Sequence, residues 1–177
     1  KPDGWYVVNE AGGVNIVTVG CWKEGRVESF CDKDTEQFTA DEKQRYHDSI
    51  KRASVKAETD RKSRQEDAKQ QANELWNSSS SNEVSQHKYL LKKQVLPYGL
   101  KLDNGCLLVP LRDSSGELCS VQRIYSDGNK CYFTGGKVKG CYHLIGEPKN
   151  GIVLCEGYAT GASIREAAGE AVAVCFD

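Results

Sequence analysis

Three short β-rich segments separated by turn-forming residues occupy the first forty residues. Their spacing predicts a small antiparallel meander. The aromatic residues of this region are expected to pack the meander, and base stacking is the alternative use of an aromatic sheet face. The segments are residues 5–9, 14–20 and 26–31, and the aromatic residues are Trp5, Tyr6, Trp22 and Phe30.

A long charged helix is predicted after the meander. Thr39 and Glu42 have the spacing of a capping box, and no Pro or Gly interrupts the chain from there to Trp76. Acid–base pairs recur four residues apart, and apolar stripes lie only near the two ends, so residues 58–67 are polar all round. Such a helix is expected to bridge solvent between two packed ends. It lacks the sustained heptads of a coiled coil.

The segment after the helix predicts a linker and then a second sheet. Residues 77–82 are rich in Ser and Asn, which is typical of a flexible linker and a domain boundary. A short helix is expected at residues 86–94. Closely spaced strands with Asn, Asp and Gly turns then predict a curled antiparallel sheet. These strands are residues 100–102, 106–111, 118–125, 131–134 and 140–145.

The end of the chain has a different pattern. An apolar strand at 151–156, a helix of small residues at 159–168 and a second apolar strand at 171–176 predict a βαβ unit. The fold class is therefore α+β with a final α/β unit. The predicted divisions are 1–38 for the meander, 39–85 for the helix and linker, 86–149 for the basic antiparallel sheet and 150–177 for the start of the α/β unit.

Charge is unevenly distributed along the chain. The 177 residues carry a net charge of −1, yet residues 86–149 hold ten basic and five acidic residues, whereas residues 1–40 and 150–177 are each net −3. A basic middle beside an acidic end is compatible with a phosphate-rich partner near an acidic metal site. A solvated lysine-rich surface is the commoner cause of such an excess.

Hydropathy and composition exclude several classes. No apolar run is long enough to span a bilayer, and no basic-then-apolar segment resembles a secretion signal, so no membrane partner is expected. The eight cysteines form no CxxC pair and the three histidines have no metal spacing. Reduced thiols in a cytoplasmic protein, without zinc, are therefore predicted. The chain has no Met and begins with Lys1, which is expected of a piece of a longer protein.

Glu156 is the most informative candidate for chemistry. It follows a buried-type apolar strand and precedes Gly157 and a helix start, and ligands of such units bind beyond the carboxyl ends of the strands. A carboxylate placed there can hold Mg²⁺, which prefers oxygen ligands and bridges to substrate phosphates. Gly157 permits close backbone approach at this turn. For an isolated Glu-Gly pair, the attraction of Glu156 to the positive helix terminus is the favoured explanation.

A longer string of residues resembles a known family. Residues 153–163, Val-Leu-Cys-Glu-Gly-Tyr-Ala-Thr-Gly-Ala-Ser, resemble the first motif of the Toprim domain in the primases of phage satellites and of plasmid transfer. The likeness extends upstream in register and covers about residues 86–177. The upstream segments are Leu107-Leu108-Val109-Pro110-Leu111-Arg112-Asp113-Ser114-Ser115-Gly116-Glu117-Leu118, then Gln122-Arg123, Lys130-Cys131-Tyr132-Phe133 and Lys139-Gly140-Cys141-Tyr142-His143-Leu144-Ile145-Gly146.

The resemblance implies synthesis of short RNA primers from ribonucleotides on single-stranded DNA, in phage or plasmid replication within the bacterial cytoplasm. Glu156 would be the acidic residue of the first motif, acting in acid–base chemistry and in binding Mg²⁺ or Mn²⁺. A replicative helicase in the same or a partner chain is a further expected partner. The expected contacts to template or nucleotide are Arg112, Arg123, Lys130, Tyr132, Lys137, Lys139 and Gly157.

One departure from the family concerns the metal site. Toprim domains complete it with a DxD pair after a third strand, and this sequence has none in that context. Asp177 matches the tip of the second strand and is a weaker metal candidate. The fragment is therefore expected to fold without making primers, and its strand at 171–176 is expected to become an exposed apolar edge.

Other classes of function remain open at this point. Residues 1–85 are compatible with a non-catalytic helicase-docking or nucleic-acid-binding module. Another Toprim enzyme, a topoisomerase or an OLD-type nuclease, is disfavoured by the sheet that precedes the motif. A third alternative is a soluble α/β domain that has no nucleic-acid role.

Overall fold

The protein, analysed as a computed structural model, comprises two compact units, Lys1–Asp60 and Arg61–Asp177. The boundary between these two units lies within the long helix. The domain boundary predicted at residues 77–82 concerns which segments fold on their own, and it stays a prediction. Within the part of the chain that the structure describes, no helix has both the length and the apolar character needed to cross a membrane. The described residues are 4–11, 14–21, 26–33, 38–149 and 151–176.

The N-terminal unit contains the predicted meander. Strands β1 (Gly4–Ala11), β2 (Val14–Cys21) and β3 (Val27–Cys31) pair antiparallel in the order β1-β2-β3. Val14 and Ile16 are buried, at 3% and 2% exposure. Because alternate residues of a strand point to opposite faces, one face of the meander supplies the packed side of this unit.

The aromatic residues of the meander do not all pack as expected. Tyr6 and Phe30 are 73% and 55% exposed, so the prediction that they fill the core is wrong. Trp5 is half-buried and lies opposite Gly20, where an added Cβ would fall within 2.6 Å of the indole nitrogen. Glycine at this position therefore leaves room for the Trp5 ring. Trp22 lies outside the described residues.

Helix α1 (Ala40–Ser78) begins with the predicted capping box. The Thr39 backbone N–H donates to Glu42 at 2.8 Å, and the Glu42 N–H donates to the Thr39 hydroxyl at 3.3 Å. Lys33 also donates to Glu42, at 2.6 Å. The Lys33 and Thr39 hydrogen bonds lower the pKa of Glu42 to about 2. Phe38 packs edge-on against Tyr46, with ring centroids 5.7 Å apart.

The second half of α1 belongs to the C-terminal unit and packs on the sheet of that unit. Residues 59–64 are exposed, in line with the predicted polar middle, whereas Ala68 and Ala72 are buried at 4% and 0% exposure. The Asn73 amide donates to the Leu118 carbonyl at 3.0 Å, and Lys69 forms an ion pair with Glu117 at 2.7 Å. The small alanine side chains thus let the helix lie close to the sheet.

The Ser-rich segment after α1 is tied to that sheet. Ser80 and Leu102 exchange both backbone hydrogen bonds, at 3.1 and 2.8 Å. A short 3₁₀ turn (Val84–Gln86) and helix α2 (Lys88–Lys93) follow, and the His87 ring caps α2 by accepting from the Tyr89 N–H at 3.3 Å.

A seven-stranded sheet forms the centre of the C-terminal unit. Its neighbours run β7-β6-β5-β8-β10-β9, and β4 pairs with β5. Each strand predicted in this region is present with bounds shifted by a few residues. The strands are β4 (Lys101–Asp103), β5 (Cys106–Arg112), β6 (Leu118–Ile124), β7 (Lys130–Tyr132), β8 (Tyr142–Ile145), β9 (Val153–Cys155) and β10 (Val172–Cys175).

The predicted βαβ unit is present and extends this sheet. Strands β9 and β10 pair in parallel, joined by helix α3 (Tyr158–Ala168), and β10 also pairs antiparallel with β8. The expectation that the 171–176 strand forms the exposed edge is wrong, because β10 has a neighbour on each side. The edge strand at this end of the sheet is β9, where Leu154 is 67% exposed.

The main core lies between the sheet and helices α2 and α3. Leu90, Leu107, Ile124, Tyr158 and Val174 are among its members, each at most 1% exposed. Helix α3 approaches the sheet through Gly161, where an added Cβ would lie 2.8 Å from Val174 and 3.1 Å from the Cys155 sulfur. Glycine at 161 therefore fixes how closely α3 packs.

Replacing Gly161 with Val should lower the free energy of unfolding by about 2 kcal/mol, because the branched side chain has no room against Val174. Ala167→Val, at an exposed position of the same helix, should cost no more than the ordinary helix propensity, about 0.6 kcal/mol. Urea unfolding of both variants measures the difference. Equal losses would contradict the close packing.

Candidate nucleotide and nucleic-acid site at the start of helix α3

The sequence-predicted Glu156 stands where β9 ends and α3 begins. Its side chain is exposed, and Gly157 after it is the N-cap of α3, with extended backbone angles. The first N–H groups of a helix lack partners within the helix, so this end carries a partial positive charge. Glu156 and the start of α3 therefore border one polar edge of the sheet.

A groove of about 430 Å³ opens at this helix start. Three elements form its walls: the last turn of α2, the turn between β6 and β7, and the first turn of α3. We call it the α3 groove. Its lining residues are Tyr89, Lys92, Lys93, Ser126, Asp127, Gly128, Asn129, Lys130, Gly157, Ala159 and Thr160.

Lys130 reaches across this groove to the start of α3. Its Nζ lies 4.0 Å from where a Cβ on Gly157 would stand, and 5.8 Å from the centre of the Tyr89 ring. A Cβ at 157 would stand in ordinary van der Waals contact with the end of Lys130. The Lys130 ammonium therefore lies close to the start of α3, and Gly157 places no side chain between them.

The α3 groove is electropositive. Lys92 and Lys93 are the last two residues of α2, and Lys130 is the first residue of β7. Their three exposed side chains line the groove together with the positive end of α3. The acidic residue of the groove, Asp127, is already engaged, since Asn129 donates to both of its carboxylate oxygens at 2.9 and 2.6 Å. The arrangement is suited to a phosphate or another anion.

Three hydrogen bonds hold the loop that follows α2 against α3 and β8. The buried Tyr158 hydroxyl donates to the Leu96 carbonyl at 2.7 Å. The Leu96 N–H donates to Glu166 at 2.8 Å, and the His143 Nε2 lies 2.9 Å from the Tyr98 carbonyl. We call this set the loop clamp. It fixes the end of α2, and with it Lys92 and Lys93, relative to the start of α3.

Burial sets the ionisation of the clamp. It raises the pKa of Tyr158 and lowers the pKa of His143 to about 4, in the latter case against the opposing effect of the Tyr98 hydrogen bond. Both rings are therefore neutral at ordinary pH. The neutral Tyr158 hydroxyl retains the proton that it donates to Leu96.

The structure divides the predicted basic residues between the two faces of the sheet. Lys130 is opposite Ile124 in the register, and Ile124 belongs to the core beneath α2 and α3. Arg123 is opposite Cys131, so it lies on the other face. Its guanidinium stacks over Phe133, 5.5 Å from the ring centre. Lys130 and Gly157 thus come together, and Arg123 does not join them.

The other predicted contacts have local roles or lie in a loop. Arg112 donates to the Gly116 carbonyl at 2.9 Å and supports its own turn. Lys137, half-buried, and Lys139, exposed, lie between β7 and β8. Tyr132 donates to the Phe176 carbonyl at 3.2 Å and packs edge-on against that ring, which holds β7 near the end of β10.

The described residues do not complete a metal site. Among them, no group of three or more His, Cys, Asp or Glu side chains is close enough to hold an ion. Glu156 alone supplies one carboxylate, and Asp177 lies outside the described residues. The predicted Mg²⁺ site is therefore not assembled by the described part of this chain.

A second cavity lies at the other end of α3. It has a volume of about 500 Å³ and is lined in part by Glu147, Lys149, Arg165 and Glu170. Its charges are mixed, and it lies at the end of α3 opposite to Glu156 and Gly157. The α3 groove is the better candidate site because it combines an excess of positive charge, three lysines against Asp127, with the helix start.

Sequence reasoning missed Lys92 and Lys93. They lie more than thirty residues before Lys130, and a pair of lysines in the last turn of a helix is ordinarily explained by the helix dipole. The signal that was present is their place in the net-positive segment 86–149. Only the loop clamp shows that this helix end faces α3.

Two DNA primases from Escherichia coli, both called TraC, are similar to part of this chain. One is 34% and the other 35% identical over 74 residues, which takes in 39% of this chain. The alignments span only 7% and 5% of the two primases, so the chain corresponds to a small part of each. No family model matches the chain, and no solved structure matches it. Over the aligned segment, the chain is related to DNA primases.

Replacing Tyr158 with Phe should lower the free energy of unfolding by about 1–2 kcal/mol, since it removes the hydrogen bond to Leu96 and keeps the buried ring. Tyr125→Phe, whose hydroxyl is at the surface beside Cys131, should cost less than about 0.5 kcal/mol. Urea denaturation distinguishes the two. A cost for Tyr158→Phe no larger than for Tyr125→Phe would show that the clamp contributes nothing.

The pH dependence of stability should include a contribution from His143. Its pKa is about 4 in the folded chain against 6.5 in the unfolded one, so the unfolded state binds the proton first as pH falls. The free energy of unfolding should therefore fall between pH 6.5 and about 4, and His143 should account for about 3 kcal/mol of that loss.

The variant His143→Gln should lack this contribution, and its unfolding free energy should fall less over the same interval. Parallel pH profiles for the two proteins would mean that His143 does not titrate as its burial requires.

Proposed function

We propose that this chain is part of a Toprim-type DNA primase that makes short RNA primers on single-stranded DNA during phage or plasmid replication. The observation that carries the proposal is the α3 groove, in which Lys92, Lys93 and Lys130 converge on the start of α3 beside Glu156. The similarity to the TraC primases supports the same class. In this proposal the groove receives phosphates of the nucleotide or of the template.

The residues of the site have separate roles in the proposal. Glu156 acts in acid–base chemistry and as one ligand of Mg²⁺ or Mn²⁺. The metal would supply charge that stabilises phosphoryl transfer. Because one carboxylate is too few to hold Mg²⁺, the remaining ligands would come from substrate phosphates and from residues outside the described set. Gly157 and the start of α3 bind phosphate, and the lysines neutralise it.

The wider partners are also proposals. Template DNA would extend beyond the groove toward Lys137 and Lys139, whereas Arg112 and Arg123 would contact it only if the strand passes to the other face of the sheet. A replicative helicase, in the same or a partner chain, is the proposed protein partner in a bacterial cytoplasm.

The binding of single-stranded DNA tests the groove. Fluorescence anisotropy of a labelled oligothymidylate, measured over a series of salt concentrations, gives the affinity and its salt slope. The variant Lys92→Ala/Lys93→Ala/Lys130→Ala should weaken binding and lower the slope by about 2, from about 0.7 per phosphate contact on a single strand. A matched triple variant on exposed positions of α1, Lys43→Ala/Lys51→Ala/Lys56→Ala, should leave the slope unchanged.

The double variant Arg123→Ala/Lys139→Ala tests the contacts outside the groove. A loss of slope in this variant alone, with the groove triple unaffected, would place the DNA elsewhere and overturn the groove as the binding site. Unchanged affinity in both variants would place the DNA on other residues and would also overturn the groove. Absence of DNA binding by the unmodified chain would favour a docking module without a nucleic-acid role.

A further inference from the structure

The outward face of the N-terminal meander is apolar and exposed. The register places Tyr6 beside Val19 and Val8 beside Val17, with Phe30 opposite Val17 on the third strand. Alternate residues share a face, so these five side chains form one continuous patch. Tyr6, Val8 and Phe30 are 73%, 56% and 55% exposed. We call this patch the meander face, comprising Tyr6, Val8, Val17, Val19 and Phe30.

The meander does not need this face for its own core. Val14 and Ile16 point to the other side, where they are nearly fully buried. An antiparallel sheet of a small unit ordinarily carries polar residues on its second face. A row of exposed aromatic and branched side chains there is typical of a surface that another molecule covers.

The borders of the meander face are predominantly acidic. In the described part of the three strands and the residue after them, the charged side chains on this face are Glu10, Glu28 and Asp32, and alternation also places Arg26, the residue before β3, on this side. Asp32 is held in place by Asn15, whose amide donates to it at 2.7 Å. Residues 1–40 as a whole carry a net charge of −3. The acidic rim repels phosphates, so this aromatic face is unsuited to stacking nucleic-acid bases.

The dimensions of the face indicate the shape of its partner. Three strands about 4.8 Å apart present a surface about 10 Å wide, which equals the diameter of one α-helix. An apolar helix face would cover the patch, and Lys or Arg on its flanks would meet the three carboxylates.

We propose that the meander face binds a basic amphipathic helix of another protein. The aromatic residues Tyr6 and Phe30 are its apolar anchors, and Glu10, Glu28 and Asp32 give it charge selectivity. This site is separate from the α3 groove and does not depend on the proposed primase activity.

The test uses designed peptides about 18 residues long, which is five helical turns. The first has a leucine face flanked by lysines, the second has the same leucine face flanked by glutamates, and the third has the lysines without leucines. Amide shifts of the isotope-labelled 177-residue chain report where each one binds. The first peptide should shift the strand residues around Tyr6, Val17 and Phe30, and should bind at least about tenfold more tightly than either of the others.

Variants separate the anchors from general hydrophobicity. Tyr6→Ser/Phe30→Ser should reduce binding of the basic peptide by at least about tenfold. Leu91→Ser/Ile152→Ser, at exposed apolar positions of the other unit, should leave it unchanged. Glu10→Gln/Glu28→Gln should retain binding but weaken its salt dependence. The spectra of the free variants check that the meander is still folded.

Several outcomes would overturn the proposal. These are equal binding of the acidic peptide, no binding of the basic peptide, or shifts of the meander face by oligothymidylate. Self-association of the chain that disappears in Tyr6→Ser/Phe30→Ser would also overturn it, because the occupant would then be a second copy.

Discussion

The hydrogen bond from the buried Tyr158 to the Leu96 carbonyl is the constraint on which the candidate site depends. It joins the first residue of α3 to the loop that leaves α2, and His143 and Glu166 hold the same loop from β8 and from the last turn of α3. Leaving a buried hydroxyl unpaired is costly, so this loop has one favoured position. As a result, two lysines distant in sequence stand across a groove from a helix start.

Most of the fold follows from local patterns in the sequence. The capping box at Thr39 and Glu42, the Gly- and Asn-containing turns and the apolar strand–helix–strand pattern at the end each act over few residues, and each element they predict is present. Strand order depends on long-range pairing. The βαβ unit could therefore be predicted, whereas the antiparallel joining of β10 to β8, which leaves β9 as the edge, could not.

The site was predictable only in part, for a similar reason. Glu156 and Gly157 lie on one motif, and Lys130 was predicted from the family resemblance, in agreement with the positive charge of its segment. The separation of Arg123 from Lys130 follows from strand register, in which a shift of one residue changes the face. The exposure of Tyr6 and Phe30 reverses the usual preference of aromatic residues for a core, and composition alone does not reveal such an exception.

The central claim is that the end of α2 and the start of α3 form one anion site. Titration of the isotope-labelled chain with inorganic tripolyphosphate, followed by amide shifts, tests it directly. The account predicts that residues at the start of α3, from Gly157 to Thr160, shift together with Lys92, Lys93 and Lys130, at one common midpoint. Shifts confined to the loop of Lys137 and Lys139, or different midpoints for the two helix ends, would contradict it.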